Sequence, residues 1–498
     1  MSAGEDIRKE RIKKLEKLAE NKINPYPAKV AFALTEIAGA KVNFKKLASK
    51  KPKPMGIAGR VLAKRGHGGI MFLDIFDSSN SLGGSTAKLQ VLAAEDKMGK
   101  ENYSLLQETI DVGDFIAVWG KPFYTKRKEP TIEAEKWQML SKSLRPLPEK
   151  WHGLQDVEER FRKRYLDILM NPEVRSRFAL RSRLVQELRT LLDKEGYMEV
   201  ETPILQPIYG GALAEPFKTH HRMLDMEMYL RIAPELYLKR LLTAGFTKIY
   251  EIGRNFRNEG LDATHNPEFT TIELYEAYRD AEYLKKFIVK ILSELTKKVT
   301  GKTAFKYNGN VIKMGLKIPE VPFWRVIERY GGISAPEKLP QKDLLLYARR
   351  FGVACGETDP KVKLADLIFK KVVRPKIIQP TFVVDYPIEM SPLAKNLSGN
   401  ADIVDRFQLI IGGVEIMNGF SELNDPQEQR KRLEEQDKMR KGTDKEAHPL
   451  DEEFIEMMEY GMPPASGLGM SIDRLTMLLS DTDNIKEVII FPTMKPKM

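Results

Sequence analysis

The sequence predicts an α+β protein, with a small β-barrel in front of a larger domain that mixes helices with antiparallel strands. Three observations carry this. Five short runs of alternating apolar and polar residues, separated by Gly and Asp, crowd between residues 55 and 137. A strand–loop–strand signal spans 249–275, and each strand alternates with the period of a half-buried antiparallel pair. Helical patterns at 5–22, 160–169 and 175–194 stand outside both. At 498 residues the chain has room for two or more domains with a well-buried core.

Composition excludes several classes. A single cysteine, Cys355, rules out an internal disulfide and points to a reducing compartment. Six histidines and that cysteine show no zinc-site spacing. No apolar run approaches a membrane span, and no charged-then-apolar signal opens the chain. There is no internal repeat. Charge is uneven: residues 1–150 hold 28 Lys and Arg against 18 Asp and Glu, a surplus of 10, whereas the whole chain has 81 against 70, a surplus of 11. A basic front end on a nearly neutral body reads as a grip for an anionic polymer joined to a small-molecule enzyme, or as a lysine-rich solvated surface.

The elements follow in order. Residues 5–22 form a charged helix with a thin apolar stripe of Ile7, Leu15 and Leu18, which docks on the next domain, frays or touches RNA. NPYP at 24–27 breaks it, and KKPKP at 50–54 leads into the barrel strands, starting at Met55, Ile70, Lys88, Phe115 and Thr131. Five such strands suggest an oligonucleotide-binding barrel. The stretch 78–86 is long for its hairpin and puts the register there in doubt. RPLP at 145–148 is a linker signal, and WHGLQD at 151–156 opens the next domain. A basic helix at 160–169 and a second helix at 175–194 precede a short strand within 196–205 that Pro203 ends.

The most informative segment is 249–275. In the returning strand Ile272 and Leu274 share one face, while Phe269, Thr271, Glu273 and Tyr275 share the other. An aromatic, a carboxylate and a phenol on one face make a ligand floor. From Phe269 to Tyr275 it runs about 20 Å, enough for a nucleotide at one end and an amino acid at the other. Arg257 and His265 frame the loop and supply cationic donors for phosphate. The plainer alternative is an amphipathic hairpin with a solvated charged face.

RNFRNEG at 254–260 with HNPEF at 265–269 resembles motif 2 of class II aminoacyl-tRNA synthetases, in the form found among lysine-specific members. GLGMSIDRL at 467–475 resembles motif 3, a glycine-rich turn leading into a helix that carries Arg474. The 175–205 helix and strand resemble motif 1, which builds a homodimer interface in that family. The resemblance runs from about residue 55 to the C-terminus. It implies a five-stranded anticodon-binding barrel at 55–145, preceded by a charged helix and linker at 1–54. A catalytic domain would follow at 146–498, its mostly antiparallel sheet flanked by helices.

The resemblance also implies the chemistry: L-lysine and ATP form lysyl-adenylate, and lysine passes to the 3′ end of tRNA(Lys), in the cytoplasm and away from membranes. A buried ammonium without a partner is costly, so lysine's two ammonium groups both need carboxylates. Gly211 and Glu235 would hold the α-amino group, and Glu422 and Tyr275 the ε-ammonium, with Glu273 nearby. Asn418 would line the pocket and Phe420 would pack on the stem. Arg257 would hold the lysine carboxylate and then the α-phosphate. His265 and Arg474 would meet the γ-phosphate, with Arg257 and Arg474 as the catalytic charges. Phe269 would stack adenine, and Glu259 would meet its exocyclic amine. Glu415 and Glu422 would hold magnesium (Mg2+). They stand seven apart, on opposite faces of a straight strand, unless Asn418–Gly419 provides a bulge. In the barrel Phe72 would stack an anticodon base beside Arg60 and Gln90, or else serve as a plain core residue.

Two positions depart from the family pattern. Ser471 replaces the third glycine of motif 3, and Glu215 stands where many relatives have Arg. Residues 281–400 are weakly readable, with 391–395 taken as structure beside the pocket. Three other readings compete: an aspartate- or asparagine-specific relative, a lysine ligase acting on protein, and a catalytically dead RNA-binding scaffold.

Overall fold

The computed structural model describes residues 3–77, 79, 87–148, 154–315, 317–442 and 446–497. Apart from Ser79, the 78–86 stretch lies outside these residues, as do 151–153 at the expected start of the second domain. The chain divides into two compact units, residues 1–179 and 180–498.

In the first unit the five alternating runs are five strands: β1 (Met55–His67), β2 (Ile70–Asp77), β3 (Ala87–Ala94), β4 (Phe115–Tyr124) and β5 (Pro130–Ser141). They close into a barrel in the order β1-β2-β3-β5-β4, with β4 returning to pair with β1. Only β3 and β5 run parallel. Closure leaves no open sheet edge, and the period-2 pattern sends Val61, Met71, Leu73, Ile75, Leu89 and Val91 inward.

Helix α1 (Ala3–Glu20) docks on this unit. Leu18 is fully buried in the barrel's apolar cluster. The Arg11 guanidinium donates to the carbonyls of Ser143, Arg145 and Val112, each at 3.0 Å. The stripe is narrower than Ile7, Leu15 and Leu18 implied, since Ile7 stays exposed. The basic segment at 160–169 is two short helices, α2 (Val157–Arg162) and α3 (Arg164–Met170), rather than one. Lys163 leaves the helical region at φ −107°, ψ 45°, which turns Arg164 into a fully buried pair with Asp167 at 2.7 Å.

The second unit is built on eight strands: β6 (Met198–Glu199), β7 (Lys248–Phe256), β8 (Glu268–Ala277), β9 (Glu320–Pro322), β10 (Thr381–Pro387), β11 (Ile403–Ile411), β12 (Val414–Ser421) and β13 (Ala465–Ser471). Their order is β9-β10-β11-β12-β13-β8-β7-β6. Pairing is antiparallel except at the two ends, β9 with β10 and β6 with β7. Helices α4 (Pro172–Lys194) and α6 (Ala281–Thr300), with α5 (Glu235–Thr243) between them in sequence, supply the packing. Leu184 and Leu188 of α4 and Leu284, Ile288 and Leu292 of α6 join Ile272 and Leu274 of β8 in the main core. The α+β reading of a five-stranded barrel followed by a mainly antiparallel sheet with helices is therefore borne out.

One local expectation needs correction. The alternation in 268–277 implied a half-buried strand, yet Ile272 through Ala277 are buried on both faces. Leu238 and Leu242 of α5 cluster with Tyr275 and close the second face. In the poorly legible middle, the helices Phe323–Gly331, Gln341–Arg350 and Lys361–Ile368 surround a separate apolar cluster inserted between β9 and β10.

Candidate active site

The floor lies where β8 pairs with β13, with Glu273 opposite Gly469 and Tyr275 opposite Gly467. Motif 3 was expected as a turn. It is a strand, and its glycines clear space for the floor side chains. A Cβ on Gly467 would fall 2.3 Å from the Tyr275 ring and 2.5 Å from Glu422 Oε1. Gly211, at φ +85°, makes the same kind of approach from the other side, where a Cβ would lie 2.8 Å from Glu235 Cβ. The Tyr275 hydroxyl donates to Glu273 Oε2 at 3.2 Å.

Three buried carboxylates converge here: Glu235 at the start of α5, Glu273 on β8, and Glu422 just past β12. Sequence reading missed a fourth member. Lys239, one helical turn after Glu235, is fully buried, with Nζ 2.7 Å from Glu235 Oε1 and 2.5 Å from Glu422 Oε2. Its Nζ also lies 5.4 Å from the centre of the half-buried Phe420 ring. The only sequence signal was a Glu/Lys pair at i,i+4, which normally marks a solvated helix face. Burial and the neighbouring Glu235 hold Glu273 up to about 8. Burial also raises Glu422 and Glu235, with Lys239 pulling both back. Neither buried Glu422 oxygen has a hydrogen bond of good geometry; Oε2 has the Lys239 ion pair and Oε1 has no partner, which makes Oε1 an acceptor able to take a cation. Asn418 Oδ1 accepts from Arg406 Nε at 2.7 Å, and Arg406 also reaches Ser391 Oγ at 2.7 Å. This ties residue 391 to the pocket wall.

At the other end of the floor the charge is positive. Arg474, the third residue of helix α7 (Ile472–Leu479), donates to the Glu415 carbonyl at 3.0 Å and meets His265 Nε2 at 3.1 Å. His265 Nδ1 lies 2.8 Å from Asp262, so the proton belongs on Nδ1 and the Nε2 lone pair faces the guanidinium. Arg374, from the segment that sequence reading left dark, lies 3.7 Å from Glu415 Oε2. Burial lowers Arg474 from its ordinary value, and Arg374 and Arg257 lower it further against the pull of Glu415. The Arg257 guanidinium stands 5.0 Å over the Phe269 ring, and its Nε is buried and unpartnered. Such a crowd of guanidiniums calls for a polyanion. Glu259 is exposed on the loop.

The carboxylate spacing is resolved by a bulge, though not at Asn418–Gly419. Leu409 pairs with Met417 and Ile410 with Glu415, leaving Ile416 as the extra residue. Ile416 and Met417 both turn into the core. That returns Glu415 to the face of Asn418, Phe420 and Glu422. Burial pushes the Glu415 carboxyl up, but Arg474, Arg374 and Arg406 outweigh it and hold the group below its usual range. Ser471 caps α7, its hydroxyl accepting from the Arg474 amide at 3.2 Å. The oxygen that departs from the family glycine is spent on the helix that carries Arg474. Glu215 is exposed, and its carbonyl accepts from Asn258 N at 2.8 Å.

In the barrel, Phe72 alternates with the buried Met71 and Leu73 and lies on the outer face, half-buried. It faces Arg65 on β1 and Leu92 on β3. Gln90 shares that face beside Asp74 and accepts from Thr131 Oγ1 at 3.0 Å. Arg60 is not brought to Phe72. It pairs with Phe76, donates to the Gly113 carbonyl at 3.0 Å and covers the Phe115 ring at 4.2 Å. Arg65 is the cation nearest in register, and it reaches Asp74 at 3.1 Å.

Comparisons with known proteins agree with this geometry. The family described as tRNA synthetases class II (D, K and N) matches residues 156–495, and the OB-fold nucleic acid binding domain matches 56–140. A lysine–tRNA ligase of Carboxydothermus hydrogenoformans is 46% identical, over 99% of this chain and 98% of its own length. One from Pelotomaculum thermopropionicum is 44% identical over 99% and 95%. One from Moorella thermoacetica is 43% identical over 100% and 99%.

Proposed function

Because this chain belongs to the class II tRNA synthetases of the D, K and N group, we propose that it activates L-lysine with ATP and transfers it to the 3′ end of tRNA(Lys). One observation carries the lysine assignment: buried Glu235, Glu273 and Glu422 converge with Tyr275, and Glu422 Oε1 lacks a partner. A pocket so acidic repels aspartate and gives asparagine's amide nothing to neutralise.

In our reading Gly211 and Glu235 bind the α-ammonium, while Glu422 and Tyr275, backed by Glu273, bind the ε-ammonium. Phe420 packs along the stem and Asn418 orders the wall through Arg406. Arg257 holds the lysine carboxylate against the α-phosphate. That carboxylate attacks, pyrophosphate leaves and lysyl-adenylate forms. The terminal ribose hydroxyl of tRNA then attacks the acyl carbon and AMP leaves. No side chain acts as nucleophile; positioning and charge neutralisation do the work. Phe269 stacks adenine, Glu259 meets its amine, and Arg474 with His265 takes the γ-phosphate. Arg374 faces the same charge.

Magnesium fits the carboxylates on this face: Glu415 is held ionised, and Glu422 keeps an unpartnered oxygen. The metal would neutralise charge building on the phosphates. Among the described residues no cluster of three or more His, Cys, Asp and Glu could hold a metal, so Glu415 and Glu422 are the residues that would hold it.

Phe72 and Gln90, with Arg60 further along, form our anticodon surface, within functional divisions at 1–54, 55–145 and 146–498. Exposed Met198, Ile204 and Leu205 beside the edge strand β6 support a homodimer contact. We place the reaction in the cytoplasm, where tRNA and ATP meet; no helix among the described residues is long and apolar enough to cross a membrane. The test is transfer of labelled lysine to tRNA(Lys). Lysine-specific, ATP-dependent charging supports the reading, and charging with aspartate or asparagine instead overturns it.

A further inference from the structure

The pocket holds one more charge than substrate recognition calls for. Lys239 comes from α5, is wholly buried, and places its ammonium between two of the carboxylates assigned to the substrate. The geometry gives a reason. Its ammonium ties down one oxygen of Glu235 and one of Glu422, and a carboxylate held at one oxygen by a charge-assisted contact presents the other in a fixed direction.

Resting on the lysine-activation reading, we propose that Lys239 is a positioning residue, which holds Glu235 and Glu422 in place, aims them at the incoming lysine and so fixes selectivity for a doubly cationic substrate. It acts through those carboxylates. Its Nζ takes one oxygen of Glu422 and leaves Oε1 for the ligand, and it takes one oxygen of Glu235 beside the close approach of Gly211.

The groups around it are consistent. Glu235 faces it on its own helix, Glu422 from the end of β12, and Glu273 and Tyr275 from β8. Arg406 of β11 acts on Glu235. His448 is buried nearby, and burial and Lys239 push it down to about 4. His448 is therefore neutral at physiological pH and cannot replace the ammonium. Lys239 is also the buried cation that touches two pocket carboxylates at once.

The experiment compares the full-length parent with Lys239→Met, Lys239→Gln and Lys239→Arg by lysine-dependent pyrophosphate exchange, with lysine and ATP titrated separately. The uncharged variants should raise the KM for lysine by about 30-fold or more at neutral pH, the scale for breaking a buried ion pair. The KM for ATP should rise far less than that for lysine, since of these carboxylates only Glu422 reaches ATP, and only through magnesium. Lys239→Arg should recover part of the loss.

A folded Lys239→Met enzyme with the parent's KM for lysine overturns the proposal. So does an equal rise for ATP and lysine, which marks mere packing. Failure of every uncharged variant to fold, even with both substrates present, makes Lys239 a structural residue and has the same consequence. A parent that shows no lysine-dependent exchange sinks the functional reading itself, and this inference with it.

Discussion

Arg474 Nη2 meets His265 Nε2 at 3.1 Å, and His265 in turn is held by Asp262 at 2.8 Å. The pair joins the helix after β13 to the loop after β7, so the two elements that carry these groups are fixed to each other. Arg257 and Arg374 add charge around them. For the ATP site we propose, this is a preorganised donor set, which would cost no rearrangement as phosphate charge develops.

The first prediction follows from that set. Arg257→Ala removes the donor assigned to both the attacking carboxylate and the α-phosphate, so adenylate formation should fall by about 100-fold or more. Pyrophosphate exchange on the folded variant measures it. Near-parent exchange would mean that the cation cluster is not the reaction centre.

The second concerns the ε-ammonium. Tyr275→Phe deletes a hydroxyl that touches Glu273 and lies at the substrate's end of the floor. Lysine binding should weaken by about 1 kcal/mol, the usual scale for one hydrogen bond, while ATP binding holds. Glu422→Gln should weaken lysine use and also disturb the magnesium dependence. Separate lysine and ATP titrations decide. ATP binding that collapses with lysine binding unchanged would reverse the division of the pocket.

The third is a pH dependence. Burial and Glu235 hold Glu273 up to about 8, so the empty site binds an extra proton there at neutral pH. A cation must displace that proton, so lysine affinity should rise with pH through this window. Stability runs the other way. Between the ordinary carboxylate value and about 8 the folded state binds more protons than the unfolded one, so this group's contribution falls as pH rises. Glu273→Gln should flatten both trends, as read by calorimetry and denaturant melts. An unchanged slope in that variant would assign the proton elsewhere.

The fourth concerns the barrel. Phe72 is half-buried on its outer face, not in its core. Phe72→Ala should cut aminoacylation by the loss of one base stack, about 1–3 kcal/mol, and leave pyrophosphate exchange intact. The loss should shrink on a tRNA with a wrong anticodon. A lowered melting temperature with unchanged tRNA discrimination would instead make Phe72 a packing residue.

Much of the fold was legible because period-2 alternation survives in all five barrel strands and in β7 and β8. The floor was legible because Glu273 and Tyr275 break an otherwise apolar alternation. Other features were hidden for physical reasons. Lys239 carries the pattern of a surface helix pair, and only the fold shows that Glu422 and Phe420 meet its ammonium. The bulge at Ile416 leaves no mark in the sequence, since Ile416 and Met417 are both plausible core residues. Arg374 lies after an inserted helical cluster whose packing is internal, so nothing local ties it to the site. Ser471 departs from the glycine of motif 3, and its hydroxyl has a use, capping the helix that carries Arg474, that only the helix start reveals.

The most direct test of the account is amino-acid-dependent exchange of pyrophosphate into ATP, run with lysine, aspartate, asparagine and an uncharged lysine analogue on the full chain. Glu235, Glu273, Glu422 and Lys239 together predict strong exchange with lysine alone. Exchange that follows aspartate or asparagine, or that proceeds equally with the uncharged analogue, would contradict it.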